Sequence, residues 1–246
     1  MPSFDPKSCG AQCDICPLGP EGPLHKDEWR PVGGEFHRGA SVIAIAEAPS
    51  SDEVQRGRPL VGRSGGEWNN ALATAGRNRV DVDLDHVISC KPAGQDSGAW
   101  RRMDKKLDRI NRKRIKKGED PYPHPAKCCR PRLLQVVSKY RNIITLGKTA
   151  TSALTGQSSS IQSMRGGPML INDAWDWVPK NGTRKLLPAL HPSFILRAPS
   201  WRHVLQSDIA KAFRWFNSCL RWTKPDSVFN PTPEELEEWL SQPAPF

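Results

Sequence analysis

SVIAIAEAPSSDEVQRGRPLVGRSGG, residues 41–66, decides the fold. Its first six residues form a short apolar run that ends abruptly at Glu47. That is the signature of a strand buried on both faces, as in a parallel sheet covered by helices. The segment beyond it carries acids, Pro, four Gly and three Arg before a helical pattern begins at Glu67-Trp68. A plain strand-to-helix connection takes only about 2–6 residues. This one is longer and chemically loaded, so it reads as part of a site.

The same alternation continues outward. Ser41–Ala46, His86–Cys90, Asn142–Leu146 and Leu186–Leu190 read as buried strands. Helical patterns fall at Glu67–Ala75, Arg132–Tyr140, Lys148–Leu154 and Trp201–Trp222. The last is the longest of these, with Val204, Leu205, Ile209, Phe213 and Phe216 on one stripe. Strands alternating with helices predict an α/β fold. Three strand ends carry functional signals: Glu47 after the first, Gly147-Lys148 after the third, His191-Pro192-Ser193 after the fourth. Ligands of open α/β sheets bind outside the carboxyl ends of the strands, so the three point at one crevice.

At 246 residues, one large domain is expected. The net charge of +10 favours a polyanionic partner, nucleic acid first and an anionic membrane surface second. MPSFDPKSCG at the start has no apolar signal region, and no stretch approaches the about 20 apolar residues of a spanning helix. The reading is a cytoplasmic protein that acts as a monomer and has no membrane partner. Arg101–Lys117 carries ten Lys/Arg and two Asp, with Trp100, Met103, Leu107 and Ile110 at helical spacing. This predicts a basic amphipathic helix: either a solvated face or a salt-sensitive surface for DNA phosphates. Thr232-Pro233-Glu234-Glu235 is a helix start, so a short helix through Leu240 is expected.

The seven cysteines are Cys9, Cys13, Cys16, Cys90, Cys128, Cys129 and Cys219. An odd count without a secretion signal argues against a disulfide framework and for metal. Cys13-Asp14-Ile15-Cys16 lets two thiolates face one centre. Two more, from Cys90 and the Cys128-Cys129 pair, would complete a four-thiolate site. By spacing alone it fits an iron–sulfur cluster or zinc equally. Cys9 and Cys219 read as spare thiols.

In order along the chain stand CDICPLG (13–19), AEAPSSDE (46–53), GRPLVGRSG (57–65), VISCKP (87–92), CRPRLLQ (129–135), IITLGKTATSALTG (143–156), RGGP (165–168) and LPALHPSFILR (187–197). Together they resemble the iron–sulfur uracil-DNA glycosylases, family 4 of the uracil-DNA glycosylase superfamily. The resemblance implies a three-layer α/β/α fold around a four-stranded parallel sheet, with an N-terminal Fe–S loop. It places the glycosylase-like domain at residues 1–222, a basic insertion at 91–128 and a C-terminal extension at 223–246. It also implies a [4Fe–4S] cluster on Cys13, Cys16, Cys90 and Cys129, the family's fourth cysteine standing two positions before a Pro, as Cys129 does. The partner is DNA, and the activity is cleavage of the N-glycosidic bond of a base flipped out of the stack.

The resemblance assigns the residues. His191 matches the family His that hydrogen-bonds pyrimidine O2. Glu47 and Glu53 match acidic positions of the first motif, Glu53 being expected to position the attacking water and Glu47 to form the pocket wall beside Ala48. Arg58, Gly62, Arg63, Ser64, Ser193 and Arg197 are expected on the DNA.

Two positions depart from the family. Leu60 stands where the family has a Phe that stacks on uracil, a contact worth roughly 1–3 kcal/mol per base. His86 stands where the family has an Asn that reads the uracil edge. Catalytic groups serving any pyrimidine are kept while both base readers differ. This points to a modified pyrimidine, such as the glucosylated hydroxymethylcytosine of some phages, removed in antiviral defence. The alternatives are an ordinary uracil glycosylase and a non-catalytic Fe–S DNA-binding accessory. A third branch of the superfamily traps DNA through a His that ends a KRRIH-like loop. Lys113-Arg114-Ile115-Lys116-Lys117 lacks that His, so trapping is not expected.

Overall fold

The computed structural model describes residues 4–26, 30–93, 98–180, 182–217 and 232. Its centre is a five-stranded sheet ordered β2-β1-β3-β5-β4. β1 (Val42–Ala46), β2 (Val82–His86), β3 (Asn142–Leu146) and β5 (Thr183–Ala189) run parallel, and β4 (Met169–Asn172) lies antiparallel on the β5 edge. The expected parallel core of four strands is therefore present, with one edge strand added. β4 escaped the sequence reading because only Ile171 of its residues is buried, and Leu170 is exposed.

Alternation along β1 builds both cores. Ile43 and Ile45 face one side, with Ile143, Leu186 and helices α4 (Pro125–Val137) and α5 (Lys148–Thr155). Val42, Ala44 and Ala46 face the other, with Ile144, Leu187 and helices α2 (Gly62–Thr74) and α8 (Arg202–Asn217). Every β1 residue is buried, as the apolar run demanded. The remaining helices are α1 (Ser51–Arg56), α3 (Ala99–Lys116), α6 (Ile161–Met164) and α7 (Pro192–Ile195).

The second strand sits earlier than read, at Val82–His86 rather than His86–Cys90. The sequence hid it because Asp83 and Asp85 look solvated, yet both are buried. Each is satisfied internally: Asp83 accepts from the Tyr140 hydroxyl and the His37 N–H, Asp85 from the Arg132 guanidinium at 2.7 Å. α4 begins at Pro125, capped by His124, well before the expected Arg132, and carries Pro131 inside it. A proline there has no N–H to donate and its ring crowds the carbonyl one turn back, a cost that burial of Cys128, Cys129, Leu133 and Val137 offsets. α3 forms where the basic helix was expected and, at 18 residues, is longer than the 16 described for α8. Residues 218–222 and the expected helix beyond Thr232 lie outside the described residues. Among the described residues, no helix is long and apolar enough to cross a membrane.

Candidate active site

A cleft of about 520 Å³ opens at the carboxyl ends of β1, β3 and β5. It is lined by Glu47 after β1, Gly147 and Lys148 after β3, and His191 after β5. The three signals read from sequence thus meet in one place. Gly147, at φ +88°, permits the approach: a Cβ there would stand 3.3 Å from Cβ of His191.

The overlong connection holds a helix of its own. Ser50 caps α1, its hydroxyl accepting from the Glu53 N–H, while Glu53 Oε2 accepts from the Ser50 N–H at 2.5 Å. This reciprocal pair is a capping box. The other Glu53 oxygen, Oε1, accepts from the Leu60 N–H at 2.5 Å and stands 3.3 Å from His86 Nε2. Burial pushes the Glu53 carboxyl up, but His86 and the Ser50 donors outweigh it and bring it to about 2. Glu53 touches the cleft yet is 5 % exposed, with both oxygens engaged. It therefore works as a clamp and has little capacity left to orient water.

The clamp explains Leu60. At φ +44° it is the one non-glycine in the left-handed region among the described residues. Such a backbone costs about 1–3 kcal/mol. The bond from its N–H to the Glu53 carboxylate offsets a similar amount, charge-assisted bonds being worth about 1.5–3 kcal/mol. Its carbonyl accepts from Arg79 at 2.9 Å. Gly65 packs under it so closely that a Cβ would lie 2.0 Å from the Leu60 oxygen. Leu60 is thus held buried as an aliphatic wall of the cleft.

Glu47 is the freer acid. Its Oε2 accepts from the Thr149 hydroxyl at 2.7 Å, Thr149 lying in the first turn of α5. Burial pushes its carboxyl above the usual range. Ala48 lines the cleft beside it. His191 caps α7, and its Nδ1 accepts from the Ser193 N–H at 3.1 Å and lies 2.8 Å from the Ser193 hydroxyl. A backbone N–H can only donate, so Nδ1 is an acceptor and the ring proton sits on Nε2. Burial pushes His191 down to about 4, so at neutral pH it is an uncharged N–H donor.

Other expected residues fall elsewhere. His86 is fully buried behind Glu53 and is not among the residues lining the cleft; its Nδ1 has no hydrogen-bond partner among the described residues. Arg58 lies on Glu35, bonded at 3.1 and 3.2 Å, where Arg79 also binds. Ser193 serves His191. Arg63 is exposed in the first turn of α2 after Gly62, and Ser64 and Arg197 line the cleft. The sequence reading missed Thr149 and Trp100, both placed by long-range packing. GKT after a strand end was a usable signal for Thr149.

Five cysteines converge from three segments. Cys13 and Cys16 lie on the N-terminal loop, Cys90 follows β2, and Cys128 and Cys129 lie in α4. Burial, then Cys129 and Cys16, push the Cys13 thiol up to about 11. Burial, then Cys129, Cys16 and Cys13, push Cys90 up. The neighbouring Cys128, together with burial, pushes the Cys16 thiol up. Among the described residues no group of three or more His, Cys, Asp or Glu is disposed to grip a single metal ion.

Comparison with known proteins places this geometry in a family. The model of the uracil DNA glycosylase superfamily matches residues 34–222. The type-4 uracil-DNA glycosylase of Thermotoga maritima is 30 % identical over 82 % of this chain and 88 % of its own. Those of Pyrobaculum aerophilum and Archaeoglobus fulgidus are 28 % and 26 % identical, over 82 % and 76 % of this chain and 88 % and 83 % of theirs.

Proposed function

The chain belongs to the uracil DNA glycosylase superfamily and is a DNA glycosylase; on that footing we propose that it excises a pyrimidine carrying a bulky 5-substituent. Breaking the N-glycosidic bond puts positive charge on the sugar and negative charge on the departing base. His191 meets the second: its neutral Nε2–H donates to pyrimidine O2 as charge develops there. Glu47 meets the first: a charged carboxylate at the cleft offsets the sugar cation and orients water. This exchanges the duties first expected of Glu47 and Glu53. Glu53 and His86 act as positioning residues for the Leu60 wall.

The observation that carries the substrate reading is the aliphatic Leu60 wall in a cleft of about 520 Å³. Pockets of about 300–1,000 Å³ take whole drug-sized ligands, so room remains beyond one pyrimidine. Glucosylated hydroxymethylcytosine suits that space, and its removal from phage DNA would serve antiviral defence. Mass analysis of bases released from uracil-containing, unmodified and hypermodified phage DNA tests it. Release from the hypermodified DNA is expected. Uracil release alone would return the protein to the activity named for its relatives.

The exposed Arg101, Lys105, Arg109, Arg112 and Lys116 of α3 form a basic stripe that starts beside the cleft. We assign it to DNA phosphates, together with Arg63 and Arg197. The thiol set of Cys13, Cys16, Cys90 and Cys129 is soft and packed against apolar side chains, Cys16 and Cys129 buried and Cys13 and Cys90 partly so, and therefore fits an iron–sulfur cluster. Bound there, the cluster would tie the N-terminal loop, the end of β2 and α4 together as a structural element.

The pH behaviour of His191 distinguishes its role. Its folded pKa of about 4 lies below the ordinary 6.5, so the ring stays neutral throughout the physiological range. The rate of base release should show no ionisation near pH 6.5, and His191→Ala should slow it by a constant factor between pH 5.5 and 8. A histidine acting as the cation would instead speed release as pH falls through 6.5. Stability follows the same sign: the unfolded chain takes up this proton first, so the contribution is lost as pH falls from about 6.5 towards 4.

A further inference from the structure

We propose that Trp100 is the specificity-determining residue of the cleft, its indole receiving the 5-substituent of the extruded pyrimidine. The inference rests on the glycosylase reading above. With Leu60 aliphatic, Trp100 and Phe194 are the Phe or Trp rings on the cleft wall. Phe194 is already engaged: Trp201 meets it edge-on at 6.0 Å, and the Arg197 guanidinium lies 6.0 Å from its centre. Trp100 is half-buried at the start of α3 and meets His124 alone among the aromatic contacts described, at 5.5 Å and 46°.

His124 is a fixed brace. Its Nδ1 accepts from the Ala126 N–H at 3.1 Å, so Nε2 carries the proton, which faces Asp104 Oδ1 at 2.9 Å. Asp104 sits one turn along α3 from Trp100. The chain Trp100–His124–Asp104 thus joins the starts of α3 and α4. The indole is pre-organised, and binding does not have to order it.

Topology sets the direction. His191 follows β5 and the α3 segment follows β2, with β1 and β3 between them. Three strand spacings separate those ends by about 14 Å. A pyrimidine with O2 on His191 points C5, across the ring from C2, away from β5 and towards the β2 side. A group on C5 therefore extends towards Trp100, whose flat face suits a sugar ring.

The test compares wild type, Trp100→Ala and Trp100→Phe on duplexes bearing cytosine with 5-hydroxymethyl or glucosylated 5-hydroxymethyl groups, with uracil alongside. Trp100→Ala should lower kcat/KM on the glucosylated base at least roughly tenfold, the scale of losing one aromatic stacking contact. Uracil release should fall by less, and Trp100→Phe should recover most of the loss. Thermal melting of each variant identifies misfolding, and Trp100→Phe keeps the test valid if the Ala variant fails to fold. Wild type that releases no 5-substituted base overturns the substrate reading itself. Wild-type release that Trp100→Ala leaves intact, or equal loss on every base, overturns the inference while the substrate reading stands.

Discussion

Replacing Glu47 with Gln is expected to slow base release by about 10²–10⁴-fold, the range that a positioned acid or base contributes. The substitution keeps the side chain's shape, and its amide oxygen still accepts from Thr149 Oγ1, 2.7 Å away in the parent. Only the charge is lost. DNA affinity and melting temperature should hold, because Glu47 contacts neither the Leu60 clamp nor the α3 stripe in the described bonds. Single-turnover release with bound duplex separates these effects. The parent's acid limb should lie above the ordinary 4.5, since burial raises the Glu47 carboxyl and the working form is the anion. In Glu47→Gln that limb should vanish. A variant within threefold of the parent would move the chemistry to another group and leave Glu53 as the nearest acid.

Replacing Arg132 with Met should produce the largest loss of stability. Arg132 and Asp85 are each 1 % exposed. One guanidinium nitrogen bonds Asp85 at 2.7 Å and another bonds the His86 carbonyl at 2.5 Å. Removing one partner of a buried pair strands a charge, at a cost of about 3–5 kcal/mol. For a chain of this size that lowers the melting temperature by roughly 6–20 °C. Asp85→Asn combined with Arg132→Met should recover much of it, because no charge is left behind and the Asn oxygen can still accept from the His86 N–H. Calorimetry on Arg132→Met, Asp85→Asn and the double variant checks the cycle. A single mutant melting within 2 °C of the parent would mean the stranded carboxylate finds water or a proton.

The architecture was legible where local pattern and burial agree. β1 is apolar throughout, and β3 and β5 carry the apolar runs 143–144 and 186–189, because helices cover both faces; the strand-end residues Glu47, Gly147 and His191 meet because parallel strands share one polarity. Legibility failed where partners lie far away in sequence. Asp83 and Asp85 disguised β2 because Tyr140 and Arg132, which satisfy them, come more than 40 residues later. The family motif points to Glu53 as the residue that positions water, although Ser50-x-x-Glu53 was a visible capping signal. Its third task, holding Leu60 in the left-handed region, has no local signature. His86 occupied a family reader's position and lies behind the clamp instead. Trp100 could be placed on a helix from spacing, but only the packing of α3 brings it to the cleft.

On the proposed reading, the location of Trp100 separates two jobs onto different stretches of chain. Bond-breaking groups stand on strand ends, where a shift of one residue would upset the whole sheet. The indole and its brace stand on a segment spliced between β2 and α4, anchored by its own Met103 and Leu107. If Trp100 has the proposed role, exchanging that segment for another would retune which base is accepted without disturbing how the bond is cut. A scaffold divided in this way can change what its cleft admits by altering one helix at a time.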